Sequence, residues 1–172
     1  MEQNIFDTIS RMKTMLQNLS GILEKAATHT KKYKYVDMSQ VLQFRLVLDQ
    51  LPLVNQIQFA CDTAKFLGSR LSGKEAPKFE DHEKTYEEIQ ARIKNTVTYL
   101  ETLKESDFKE WKSRKASFGW NPGKHLEAKD YFYGHAVPNF YFHVTTAYAI
   151  LRANGVELGK ADYLGQLPFK ND

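Results

Sequence analysis

Five histidines (His29, His82, His125, His135 and His143) and one cysteine, Cys61, are the side chains best suited to metal, acid/base or nucleophilic chemistry. His143 lies among Phe140, Ala147 and Ile150 at steps of three and four, so the spacing predicts an imidazole on the apolar side of a helix. Asn139, one turn earlier, shares that face. A pair at i and i+4 can hold one cation, but a carboxamide is a poor ligand for a transition metal. Two readings stay open for His143: a metal ligand in an incomplete set, or a histidine hydrogen-bonded to a neighbour. Cys61, with no histidine near it in sequence, reads as a buried thiol. Asp62 beside it requires a cation if its helix is covered, with Lys65 or an arginine of another helix as the expected partner. His125 and His135 lie in an irregular stretch, and nothing in their spacing forces them together. Gly155 to Ala161 has the wrong glycine spacing for a phosphate loop and no Ser or Thr after Lys160.

These residues need a frame, and periodicity supplies one. Ile5, Ile9, Met12, Leu16, Leu19, Leu23 and Ala26 alternate steps of four and three, which predicts a first helix over Asn4 to Ala27. A short helical piece is expected around Ser39 to Val47. A second long helix is expected to open at Asp49, carry Leu53, Ile57, Ala60, Ala64, Leu67 and Leu71, and stop at Gly73. Phe59 and Phe66 give it a second apolar side, which needs cover from the short piece, from the segment before the last helix, or from another subunit. A third helix is expected from near Asp81 to Leu103, and a fourth from Pro138 to Gly155. Between them, Ser106 to Val137 has no sustained period. A small hairpin around Trp120-Asn121-Pro122-Gly123 would pair Lys115–Phe118 with Leu126–Ala128. The tail after Gly155 is too broken by Gly159, Gly165 and Pro168 to predict another helix. The fold class is therefore all-α, an antiparallel four-helix bundle in one domain over residues 1–172, with a long irregular segment before the last helix.

Composition bounds the function. A 42% hydrophobic and 26% charged chain is an ordinary globular one, which excludes a disordered linker. The formal charge of +3 is small, and only Lys31, Lys32 and Lys34 cluster, so nucleic acid is not an expected partner. No apolar run reaches the length of a membrane span. The start, Met1-Glu2-Gln3-Asn4, lacks the features of a signal peptide, and a lone cysteine suits a reducing compartment; the cytoplasm is the expected location.

The run Pro138-Asn139-Phe140-Tyr141-Phe142-His143-Val144-Thr145-Thr146-Ala147-Tyr148, with Gly155-Val156, Gly159-Lys160 and Asp162-Tyr163-Leu164-Gly165, resembles the closing signature of a bacterial and fungal domain-of-unknown-function family within the DinB-like superfamily. Arg45-Leu46, Asp49, Gln56, Asp62, Ala64-Lys65 and Arg70-Leu71 are similar to its second helix, and Glu83, Thr85, Arg92-Ile93 and Thr96 to its third. The resemblance implies a DinB-like bundle and, commonly there, a homodimer. Better-known members of the superfamily bind a divalent metal through three histidines, one on the second helix and two on the fourth, and some are thiol-dependent transferases or isomerases. Only His143 matches such a ligand. Asn139 stands where a second would be, and Gln56 is the nearest polar residue on the second helix. Two function classes follow. One is a binding or structural protein, metal-free, holding a small molecule near Gln56, Asn139, His143 and Tyr148. The other is an enzyme with a rebuilt site, in which His143 serves as ligand or acid/base helped by Asp62 or His135.

Overall fold

A computed structural model describes residues 4–170; the ends, 1–3 and 171–172, lie outside the described residues, and with them part of the expected N-terminal and tail readings. The main elements are α1 (Ile5–Thr30), α2 (Met38–Val41), α3 (Leu53–Ser72), α4 (Tyr86–Glu101), β1 (Lys115–Ser117), β2 (His125–Glu127), α5 (Val137–Ala153) and α6 (Lys160–Leu164). The four long helices form the expected antiparallel bundle, in which α3 packs on both α4 and α5 and α1 packs on α4. All seven residues of the first stripe are buried, as are the six of α3. Each fully buried Leu or Ile contributes about 1.5–3 kcal/mol by leaving water, which makes these stripes the main stabilising force.

Several boundaries differ from the sequence expectation, each for a physical reason. The short piece before α3 is a single turn, Met38–Val41, because Asp37 caps it in a reciprocal box with Gln40. Asp49 does not cap α3. The helix begins after Pro52, whose φ of −67° and missing N–H suit the N-cap position. The third long helix starts at Tyr86 rather than near Asp81, since Thr85 and Glu88 form a capping box. Asp81 is drawn away to Arg92, at 2.8 Å. The hairpin exists, but its second strand is His125–Glu127, with Ala116 opposite Leu126. The tail carries one helical turn, α6, closed at its start by Asp162 accepting from the N–H of the N-cap residue Gly159. Asn18 of α1 donates to the Tyr163 carbonyl and fixes that turn to the bundle. Gly73 ends α3 at φ +78°, a conformation that disfavours any residue with a Cβ.

The last long helix departs most. It does not begin at Pro138: helical backbone already runs from residue 128, and Asp130–Ala136 is a π-helical stretch. Pro138 has no N–H and its ring would crowd the carbonyl one turn before it. The π register resolves this, with the Val137 N–H donating to the Phe132 carbonyl five residues back. The same shift places Tyr131 and His135 one above the other, with ring centroids 5.8 Å apart at 24°.

The connection between α3 and α4 has no regular structure of its own, yet it is pinned by buried charge. Arg92, with a side chain only 1% exposed, meets Asp62 at 3.0 Å and Asp81 and Glu83 at 2.8 Å. Lys65, 3% exposed, meets Asp62 at 2.8 Å. The Phe79 ring lies against both cations, 4.3 Å from Lys65 Nζ and 5.2 Å from Arg92 Cζ. Asp62 thus has both partners anticipated for it. Cys61 is fully buried, and desolvation pushes its thiol up to about 12, so it is inert at neutral pH.

Candidate functional site

A groove of 590 Å³ opens along α3 and α5 and is closed at one end by the hairpin and the π-helical stretch. Phe59 and Phe66, the second apolar side of α3, line it; Phe118, Trp120, Tyr131 and His135 from the segment before α5 face them. That segment therefore supplies cover for α3 within the chain. The polar lining is Asp62, Thr63, Arg70, Asn139 and His143. A larger depression of 820 Å³ lies between α1 and the α6 region, but both of its lysines are paired, Lys25 with Asp162 and Lys32 with Glu157. The α3/α5 groove concentrates the groups that chemistry needs.

His143 is half-buried at the edge of the α5 stripe, rather than inside it; Phe140, Val144, Ala147 and Leu151 occupy the interior. Its ring packs on Phe59 at 5.0 Å. Burial lowers its pKa from the ordinary 6.5 to about 4, so it is neutral at pH 7. The hydrogen bonds also decide its tautomer. Gln56, 2% exposed, donates its amide N–H to the Leu51 carbonyl at 2.8 Å, which turns Oε1 toward the ring. His143 Nδ1 lies 2.8 Å from that oxygen and must carry the proton. Nε2 is then a lone-pair acceptor.

Asn139 is oriented by the same logic. Thr63 donates its hydroxyl to the Phe59 carbonyl at 2.6 Å, so its oxygen accepts from Asn139 Nδ2 at 2.8 Å. The carboxamide oxygen of Asn139 is left as an acceptor. Gln56 and Thr63 are thus positioning residues, and the groove presents two neutral acceptors side by side on α5.

The other candidates fall apart from this pair. Tyr148 does not join them: its hydroxyl donates to the Leu158 carbonyl at 3.4 Å and its ring meets Tyr163. His125 turns to Glu127 on β2 at 3.1 Å. His135 does enter the groove, where burial first and the nearby Arg70 second lower its pKa. Thr63, Arg70 and the wall residues Phe118, Trp120 and Tyr131 are the groove residues that sequence reasoning passed over as site groups, whereas His135 was named as a helper of His143. Arg70 stood within the resemblance, and the long irregular segment was the available signal for the wall.

A resident divalent metal does not fit these residues. Gln56 is committed on both sides of its amide, Asn139 offers a neutral oxygen, and one imidazole nitrogen remains. Among the described residues no three His, Cys, Asp or Glu side chains converge as a metal-holding group.

The family described as a domain of unknown function (DUF1993) matches residues 6–164. The chain belongs to the DUF1993 family. A crystal structure of a DinB family member protein from Shewanella denitrificans is similar to this DUF1993 chain, with 44% identity and a TM-score of 0.89, over 95% of this chain and 93% of that one. The DUF1993 bundle is accordingly DinB-like, as the family resemblance implied. No curated protein matches the chain. No helix among the described residues is long and apolar enough to cross a membrane.

Proposed function

We propose that this DUF1993 chain is a small-molecule-binding bundle whose site is the α3/α5 groove, operating without a resident metal. The observation that carries this reading is the pair of hydrogen-bond chains, Leu51–Gln56–His143 and Phe59–Thr63–Asn139, which fix two acceptors on the groove wall. Buried polar groups held in one orientation are what a binding site needs to select a ligand's donors. Positions that resemble ligating ones have become hydrogen-bonding ones. A metal-dependent transferase or isomerase is the second reading offered by the DinB-like resemblance, and the donor set counts against it.

Thermal unfolding in the presence of a small-molecule library tests both. Ligands at about 100 times their Kd should stabilise the protein by about 2.7 kcal/mol. The upward shift in Tm should be lost in Asn139→Ala and His143→Ala. Stoichiometric zinc binding that raises Tm, and is abolished by His143→Ala, would replace this reading with the metal-dependent one.

The proposal includes a homodimer. Supporting it is the exposed apolar run before α3, with Leu46 45%, Val47 55%, Leu48 97% and Leu51 47% exposed, an unusual concentration for a free surface. Sedimentation equilibrium should return twice the chain mass, falling to one chain mass in Leu48→Asp. A wild-type protein that is monomeric at every concentration would remove the dimer.

A further inference from the structure

Two arginines of this molecule are treated in opposite ways. Arg92 is neutralised by the carboxylates of Asp62, Asp81 and Glu83. Arg70, in the last turn of α3, pairs with no carboxylate among the described residues. One N–H donates to Tyr131 Oη at 3.2 Å, and the guanidinium lies against Phe118 at 4.5 Å, Phe66 at 4.9 Å and Tyr131 at 5.3 Å. Ring faces hold a cation in place without cancelling its charge, and a guanidinium has five N–H donors. Arg70 lines the groove.

Nothing beside it among the described residues supplies the missing negative charge. Burial and Arg70 itself lower the His135 pKa, and an imidazole carries no negative charge in either state. Asp62 also lines the groove, but Lys65 and Arg92 hold its carboxylate. A planar anion with two oxygens matches the fork of an arginine fixed in this way, whereas a point cation would be repelled. Asn139 lies at the level of Thr63, seven residues from Arg70 along α3, a rise of about 10 Å, and His143, held by Gln56 and packed on Phe59, lies a further turn away. Phe59 and Phe66 flank the interval.

We propose that the ligand of this groove is a small elongated carboxylic acid: its carboxylate sits on Arg70, its apolar or aromatic body lies along Phe66 toward Phe59, and an O–H or N–H at its far end donates to Asn139, or to His143 in a longer ligand. This rests on the binding function proposed above and names the class of molecule it takes.

A suitable probe is 3-(4-hydroxyphenyl)propionate, with a carboxylate and a phenol at opposite ends, titrated calorimetrically into the full chain. It should bind saturably. Its methyl ester, which lacks the charge, and its 4-methoxy analogue, which lacks the donor, should each bind about tenfold or more weakly. Arg70→Gln should bind acid and ester alike, while Arg70→Lys should recover part of the preference for the acid; melting curves confirm that both variants are folded. Equal affinity of wild type for acid and ester would overturn the Arg70 subsite, and if Asn139→Ala still weakened both, the groove itself would stand. No binding of the acid would overturn the ligand class, and the library experiment then answers separately whether the groove binds anything.

Discussion

Arg92→Met should destabilise the protein by about 3–5 kcal/mol, read as a drop in the urea midpoint with little change in slope. Methionine fills similar space, so the loss is electrostatic rather than a cavity effect. Arg92 is enclosed, and without it Asp62 and Glu83 face one buried lysine with two carboxylates in a site that water reaches poorly. Burial pushes the Glu83 carboxyl up; hydrogen bonds from Arg92 and Gln58 more than offset that and hold it below the usual 4.5. A carboxyl lowered on folding stabilises fully above its unfolded pKa and loses that contribution as pH falls through the folded value. Arg92→Met should therefore also flatten the acid limb of stability against pH. Asp81→Asn is the contrast. Its carboxylate is 54% exposed, and the expected loss is below about 1 kcal/mol. An Arg92→Met protein with an unchanged midpoint would mean that the cluster is not holding the α3–α4 connection.

The second large effect belongs to His143. Its folded pKa of about 4 lies below the ordinary 6.5, so between those values the unfolded chain binds the extra proton. Stability from this group is complete above pH 6.5, declines as pH falls through that value, and is fully lost by about pH 4. The shift corresponds to about 2 kcal/mol once discounted for the half of the ring that solvent screens. His143→Gln removes the titrating group, so the difference in unfolding free energy between wild type and variant should change by about that amount between pH 7 and pH 4. His135, also lowered, adds a smaller slope of the same sign that survives in the variant. A pH-independent difference would show that the imidazole is not desolvated.

Much of the frame was legible because it follows from repetition along one helix. The stripe from Ile5 to Ala26 and the one from Leu53 to Leu71 are buried as their spacing requires. The partners of Asp62 were legible for a different reason, since a covered carboxylate must be met by a cation. Signals for starting a helix were weaker guides. Asp49 and Asp81 are good caps in isolation, but Pro52 and the Thr85–Glu88 box lie closer to the first buried turn. Pro138 marks a helix start only when the chain before it is not already helical, and a π-helical stretch depends on a hydrogen-bond shift that no residue type announces.

The site was half legible. Asn139 and His143 share a helix face by their spacing, Gln56 entered through the family resemblance, and the structure brings Gln56 to His143 and Asn139 to Thr63. Tyr148 was misplaced by its own geometry: five residues beyond His143, it lies about 140° around the helix and faces the tail. His135 was named from the sequence, but the rest of the aromatic wall was hidden because Phe118, Trp120 and Tyr131 are connected by no period. Arg70 stood in the sequence only within the family resemblance, because the rings of Phe66, Phe118 and Tyr131 that surround it are gathered by the fold.

The proposed binding function requires the His143 imidazole to be held as a neutral hydrogen-bonding group and not as half of a metal site. Long-range proton–nitrogen NMR of the histidine side chains measures this directly. At neutral pH the His143 spectrum should show Nδ1 protonated and Nε2 bare, should titrate near pH 4, and should not move when zinc is added. An Nε2-protonated ring, a midpoint near 6.5, or a zinc-induced shift at Nε2 would contradict it.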